Sequence, residues 1–456
     1  MDDNRAATRE HEHDLHPEGH GENETSHSRT GDASNADNTA YTTAASGYLG
    51  NLLQPLRKSK AFRSLWLGQL LSALGSSVSM VILPIVVYAM TGSTVAMGTV
   101  MAVYMAPYVL ALPFAGLVVD RMNRVNVMLA ADAVRFLLML ALMGLLLTER
   151  LTMPVLYPLM AVYGLMEGVF QPAYSAMRAR IFTPDIRNAA NALTQLTHQG
   201  VRLLGPTLGG TLAYSVSGGL GFGLDAVTYL LSLICLWQLK EIGTNQLTPS
   251  GAADKPNFKK DFLEGLHILR QNPWLWITIA AFALVNIFYS GVISVLVPWL
   301  FQVHYQLPSY MYGLAVTCSG VGGVTAAFLF GSKRNWHRRG LLAYGGVFLS
   351  ALAMLMLSFV SWAPGLLALM FVEGFGIMIF ALIWETSLQE LVPEEAFGRV
   401  ASIDLLGSFA LMPLGYLLVG GVADSIGGVA AVGIMAGLVL VIVIAALCSP
   451  AIRKFD

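Results

Sequence analysis

The sequence predicts an all-α membrane protein: twelve transmembrane helices in two pseudo-symmetric six-helix bundles. Three observations carry that expectation. Of 456 residues, 55% are hydrophobic and only 12% charged, about half the charged share that a water-soluble surface needs. The apolar residues form twelve blocks of roughly 20 or more, each long enough at about 1.5 Å per residue to cross about 30 Å of hydrocarbon. Lys and Arg flank these blocks almost wholly on one side. A soluble enzyme is excluded by the same arithmetic.

Residues 1–50 are polar, with ten acids against three arginines. They lack the apolar surface that would offset ordering entropy, and the segment reads as a disordered tail. Having no basic start followed by an apolar run, it does not read as a signal peptide, so the first span is expected to direct insertion. Its His11, His13, His16, His20 and His27 are read as part of a solvated tail, with weak metal binding as the alternative.

The apolar blocks fall at about 64–90, 95–117, 127–147, 154–177, 189–214, 220–239, 274–300, 309–331, 340–361, 365–388, 402–424 and 428–448. Lipid cannot satisfy exposed backbone groups, so each is expected to be helical. With the N-terminus inside, 21 Lys and Arg residues fall in the loops and flanks of that side, against Arg150 alone on the other. That asymmetry places both termini in the cytoplasm. The longest internal connector, 241–273, separates 51–240 from 274–456, six blocks from six. Within it Phe258, Phe262, Leu266 and Leu269 recur at helical spacing, which predicts an amphipathic helix on the inner membrane surface. A six-plus-six layout with a long central connector is the organisation of repeat-built secondary transporters, whose bundles move against one another about a midplane site.

Ionisable residues inside the blocks are costly in lipid and point to a cavity or a partner. Asp132 and Arg135 are three apart, spaced to pair on one helical face. Glu167 lies 17 residues before Pro184 and Arg202 lies 18 after it, which puts both about 25 Å from the turn in an antiparallel hairpin. The two are expected to pair near mid-bilayer if their faces meet, either as a proton-coupling site or as a permanent salt bridge. Glu373 has no basic partner in its own half; it titrates, attracts a cation or hydrogen-bonds as the neutral acid. Asp225 reads as a packing or capping residue. Polar side chains also recur along one face of several helices: Gln69, Ser72, Ser76 and Ser79; Tyr163, Glu167 and Gln171; Asn286, Ser290 and Ser294, with Tyr289 adjacent. Such faces either line an aqueous path or bond neighbouring helices. The cysteines, Cys235, Cys318 and Cys448, have no metal or redox spacing and read as small hydrophobes.

After the second block stands Gly116-Leu117-Val118-Val119-Asp120-Arg121-Met122-Asn123-Arg124. Gly116 permits close helix approach, and Asp120 can pair with a basic side chain or helix N-terminus at the rim. The fifth block carries Gly205-Pro206-Thr207-Leu208-Gly209-Gly210, where Pro and clustered Gly suit either a moving interface or ordinary close packing. The first of these stretches resembles the loop signature of the major facilitator superfamily, with Asn123 and Val125 departing from it. The second resembles the Gly-Pro-x-x-Gly-Gly element of superfamily exporters, with Gly200 one place off. Phe62 to Gln69, Gly164 to Pro172, Phe222 to Ala226, Glu264 to Leu266, and Val392-Pro393 followed by Gly398-Arg399-Val400 are similar to the macrolide- and enterobactin-exporter branch. The resemblance spans about 60–450. It implies an inner latch at Gly116, Asp120, Arg121 and Arg124, and a central cavity lined by helices one, four, seven and ten. Gln69, Ser72, Ser76, Tyr163, Gln171, Asn286, Tyr289 and Ser290 then face that cavity, with Trp384 towards its cytoplasmic mouth. Exporters of this kind often carry Arg in the fourth helix; Gly164 stands in its place, so that proton-relay assignment is not carried over.

The expected function is secondary active export of amphipathic small molecules such as drugs across the cell membrane, by alternating access and proton antiport. The export direction and the antiport rest on the resemblance. A dedicated siderophore or metabolite exporter and a lysophospholipid flippase are the alternatives. A membrane enzyme should concentrate a nucleophile, metal or acid–base cluster, and the ionisable groups here are scattered. No Gly-x-x-x-x-Gly-Lys-Ser/Thr phosphate loop occurs. The expected partners are substrate, protons and lipid, without cofactor, metal or nucleic acid, and the protein is expected to be a monomer.

Overall fold

The computed structural model describes residues 53–215, 218–241, 258–331 and 336–456; the His-rich tail lies outside them. Each of the twelve apolar blocks falls on a helix. α1 is Lys60–Thr91, α2 Thr94–Arg121, α3 Arg124–Leu147, α4 Met153–Ile181, α5 Arg187–Ser215 and α6 Gly218–Glu241. α7 runs over Pro273–His304. α8 is Ser309–Gly331, α9 Arg339–Met356 and α10 Ala363–Leu391, while α11 is Glu394–Phe409 continued by Met412–Ile426 and α12 is Gly428–Cys448.

Local chemistry sets the ends. The Ser59 hydroxyl accepts from the Phe62 amide at 3.1 Å and caps α1. The helix stops at Gly92, whose φ of 63° suits a residue without a Cβ. Asn123, a departure from the family loop, caps α3 by accepting from Val125 and Asn126. Proline opens α4, α7 and α10, where its missing N–H has no intrahelical partner to lose. α9 ends at Met356 rather than near 361, and the chain turns over 357–359 before Trp362 adopts an extended backbone ahead of Pro364. Inside α7, two π-helical stretches, Val292–Leu296 and Leu300–His304, flank Pro298, which cannot donate to the regular ladder.

Eleven of the helices are long and apolar enough to cross a membrane. The exception is α5. Its 29 residues suffice in length, but Gln195, Gln199 and Arg202 form a polar stripe along one side, which shelters only if the helix packs against protein. It packs on α1 and α8, but Gln195 and Arg202 stay exposed.

The packing has an internal symmetry. α1 packs on α5 and α6, α3 on α4 and α6, and α2 on α4; six helices later, α7 packs on α11 and α12, α9 on α10 and α12, and α8 on α10. The contacts that cross between the first six and the last six obey the same shift, α2 on α11 and α8 on α5. These crossings lie towards the end that carries the short turns at Gly92 and Gly427. Thr94 donates to the Gly420 carbonyl at 3.1 Å. The Thr207 and Thr317 hydroxyls meet at 2.5 Å, and Thr317 also donates to the Leu203 carbonyl at 2.6 Å. Small residues make the approach possible: a Cβ on Gly313 would lie 2.3 Å from the Pro206 carbonyl oxygen, and one on Gly98 2.2 Å from that of Tyr416. The connector helix Phe258–Gln271 packs on α7 and on the start of α11, burying Leu269.

Candidate functional site

The hairpin of α4 and α5 places Glu167 and Arg202 at similar depth, but their faces diverge. Glu167 turns towards α3 and pairs with Arg135, while Gln171 donates to its other oxygen at 2.8 Å. The expected Glu167–Arg202 pair is therefore replaced by Glu167–Arg135. Depth along a hairpin follows from residue counting; the rotation of each helix about its axis does not. Arg135 also pairs with Asp132, one turn away on α3 as its spacing predicts. Ser232 on α6 donates to the remaining Asp132 oxygen at 2.7 Å. The guanidinium sits over Phe170 and Tyr229, 4.2 and 4.8 Å from the ring centroids. Asp132 and Arg135 side chains are 0% and 3% exposed, whereas Glu167 retains 18%. Glu167 is thus the member of the cluster that solvent or a ligand can reach.

The polar stripe of α1 points into the first six helices. Ser72 donates to the Gln69 carbonyl at 3.3 Å, and Ser76 donates to the Ser72 carbonyl at 2.8 Å. Ser76 also meets the Tyr229 hydroxyl at 2.8 Å, and Tyr229 in turn meets Tyr163 at 2.9 Å. Tyr163 is buried. The Gln69 side-chain oxygen is buried without a hydrogen bond. Ser76 and Tyr163 accordingly bond neighbouring helices. Ser79 donates at 2.6 Å to Asp225, which is wholly buried.

In the last six helices Glu373, 3% exposed, accepts from the Tyr289 hydroxyl and, at 2.6 Å, from Ser319. Tyr289 is also 3.3 Å from Ser350. Arg202 is exposed and forms no ion pair among the described residues. Asn286 donates to the Ser408 carbonyl at 3.1 Å, and Ser290 is buried. Trp384 stacks on Phe380 and donates to Asp404 at 3.2 Å. Sequence reading passed over both Asp404, on α11, and Tyr229. For Tyr229 a signal existed: Asp225, Tyr229 and Ser232 are four and three residues apart, one face of α6.

Gly116, Asp120 and Arg121 lie on the closing turns of α2, and their side chains are outside the described residues; Arg124 opens α3. Of the α5 motif, Gly205 and Gly209 face α1, where a Cβ would meet Ser77 at 2.2 Å and Val78 at 3.0 Å. Pro206 and Gly210 face Gly313 on α8. The motif therefore sits at the seam between the halves. Among the described residues no group of three or more His, Cys, Asp or Glu side chains could hold a metal ion.

Residues 65–410 match the Major Facilitator Superfamily. The chain is 25% identical over 413 residues to an enterobactin exporter of Citrobacter koseri, covering 88% of this chain and 95% of that one. It is 23% identical over 392 residues to a multidrug efflux pump of Mycolicibacterium fortuitum, covering 84% and 94%. The fold is similar to the crystal structure of a peptide transporter in complex with sulfate, with a TM-score of 0.68 and 16% identity over 87% of this chain and 95% of that one.

Proposed function

The chain belongs to the Major Facilitator Superfamily, a multi-pass membrane protein that transports small molecules across the bilayer, and we propose that it is a proton-coupled exporter of amphipathic compounds. The carrying observation is that each half holds an acid inside its helices, with a buried guanidinium beside the one in the first half. Glu167 pairs with Arg135 in one half, and Glu373 hydrogen-bonds to Tyr289 and Ser319 inside the other. Charges so placed are expensive unless function keeps them, and a proton on Glu167 or Glu373 changes which ionic contacts survive.

In this reading residues 51–240 and 274–456 form two bundles that rock about the seam, with 241–273 linking them on the cytoplasmic side. Both termini are cytoplasmic, as the Lys and Arg asymmetry argues. The seam contacts at Thr94–Gly420 and Thr207–Thr317 then close the outer side, and substrate enters from the cytoplasm. Proton entry from outside drives the opposite tilt, and the drug leaves as Glu167 or Glu373 is protonated.

Purified protein in liposomes tests this. A pH gradient is imposed, and proton movement is followed while ethidium, erythromycin, a catecholate siderophore or labelled lysolipid is added. Compound-dependent proton movement with ethidium or erythromycin supports drug–proton antiport. Movement with the siderophore alone favours the dedicated exporter, the reading that similarity to the enterobactin exporter supports. Transport without proton movement overturns the coupling.

A further inference from the structure

The core of the first six helices holds a polar column with more members than the Glu167 pair. From the end of the short turns it begins at Asp225 on α6, 0% exposed. Asp225 accepts from Ser79 at 2.6 Å and from Thr228 at 3.3 Å. The room for it comes from α1: a Cβ on Gly75 would lie 2.4 Å from an Asp225 oxygen. One turn along α6 stands Tyr229, bonded to Ser76 at 2.8 Å and to Tyr163 at 2.9 Å. One turn along α4 from Tyr163 is Glu167, paired with Arg135, whose guanidinium lies over the Tyr229 ring. A further step along α6, Ser232 bonds Asp132. Asp225, Tyr229 and Ser232 share one face of α6, and Tyr163 and Glu167 one face of α4, so two helices hold the column in register.

The groups facing Asp225 are few. α3 presents Arg135 with Asp132 behind it, α4 presents Tyr163 and Glu167, and α6 itself presents Tyr229. α1 presents only hydroxyls, and α5 beyond Arg202 carries no charged residue. Three carboxyls and one guanidinium thus stand along the column, the guanidinium paired with Asp132 and Glu167. The column is neutral with two protons aboard and gains one negative charge for each proton it gives up.

We propose that Asp225 is a proton-relay carboxyl, exchanging protons with the Glu167–Arg135–Asp132 cluster through the hydroxyls of Tyr229 and Tyr163. The step moves one proton. Asp225 yields it towards Tyr229, each hydroxyl accepts one proton as it releases its own, and the Glu167 carboxylate receives the last. No other bond changes. Asp225 and Tyr229, and Tyr163 and Glu167, are each four residues apart on one helix, about 6 Å of backbone rise, and the relay requires a water in each gap. Asp225 is then a positioning and relay group between Glu167 and the end of the short turns. The inference rests on the proton-coupled reading above.

The test needs no substrate. The full-length protein is reconstituted in phosphatidylethanolamine–phosphatidylglycerol vesicles, and infrared difference spectra are recorded across pH jumps. Wild type is expected to show protonated-carboxyl C=O bands, one of which disappears in Asp225→Asn and shifts in Glu167→Gln. Tyr229→Phe should keep that band but slow its hydrogen–deuterium exchange by about a hundredfold, the modest end of what a positioned proton-transfer group contributes. Ser79→Ala, which removes one hydrogen bond and no charge, should shift the same band and serves if Asp225→Asn does not fold. The relay is overturned if neither Asp225→Asn nor Ser79→Ala alters a carboxyl band, or if Tyr229→Phe leaves the exchange rate unchanged. Failure of the transport reading would show elsewhere, as wild-type export without proton movement.

Discussion

Glu167 on α4 is paired with Arg135 on α3, and Arg135 holds Asp132 at the same time. One guanidinium therefore answers two carboxylates in the interior, and removing it strands both. Arg135→Gln is expected to lower stability by about 3–5 kcal/mol, the usual cost of breaking a buried pair from one side. Thermal unfolding in detergent measures it. Arg202→Gln, whose side chain is exposed and forms no ion pair among the described residues, should change the midpoint little; an equal loss in both variants would contradict the assignment of partners.

Asp225 has its place because α1 carries glycine at position 75. A methyl there would meet the Thr228 hydroxyl at 2.0 Å and Asp225 at 2.4 Å, with the Asp225 Cα at 3.0 Å. Backbone is among the obstacles, so relief requires α1 and α6 to move apart. Gly75→Ala should cost about 1–3 kcal/mol, typical of overpacking, and should reduce the yield of folded protein in size-exclusion chromatography. A variant as stable as wild type would show that the two helices can separate freely.

The seam between the halves closes on glycine. A Cβ at Gly313 would lie 2.3 Å from the Pro206 carbonyl oxygen, so Gly313→Val should hold α5 and α8 apart. A cysteine placed at Thr207 should then react faster with an impermeant maleimide added to intact cells, and transport should fall. An unchanged labelling rate would mean that this contact does not seal the outer side.

Glu373 accepts from Tyr289 and Ser319. An amide can keep both bonds, whereas a methyl can keep neither. Glu373→Gln should stay within about 1 kcal/mol of wild type, while Glu373→Ala leaves two hydroxyls unpaired at about 1–3 kcal/mol each. Calorimetry ranks the two variants. Gradient-driven transport should fail in both, because neither side chain carries a proton between states.

The charge asymmetry of the loops makes a topological prediction. In a background with Cys235, Cys318 and Cys448 replaced by serine, a cysteine at Thr244 should resist impermeant maleimide in intact cells and react in inverted vesicles. Labelling of intact cells would reverse the orientation.

The helices were legible because lipid leaves a spanning backbone no alternative; apolar runs and proline and glycine punctuation marked most ends to within a few residues, while α11 begins at Glu394, eight residues before its apolar run. α9 was read a few residues too long because the turn after Met356 begins with the apolar residues Leu357, Phe359 and Val360, which hydropathy cannot tell from helix. Asp132–Arg135 was legible because three residues along one helix have a known geometry. Glu167–Arg202 was misjudged because the pairing spans two helices, and a rotation of either one alters the partner without altering the apolar pattern.

The sequence by itself determined that this chain crosses a membrane many times, that its Lys and Arg gather at one end of the spans, and which costly polar groups lie within the apolar blocks. These follow from the local preference of each segment for water or hydrocarbon. Only the tertiary structure decided that Glu167 meets Arg135, that Glu373 is held by Tyr289 and Ser319, and that Asp225, Tyr229, Tyr163 and Glu167 stand in one column. Side-chain partners depend on how each helix is turned about its own axis, and that angle is chosen by packing, where Gly75, Gly98 and Gly313 let one face approach and larger side chains keep the others apart.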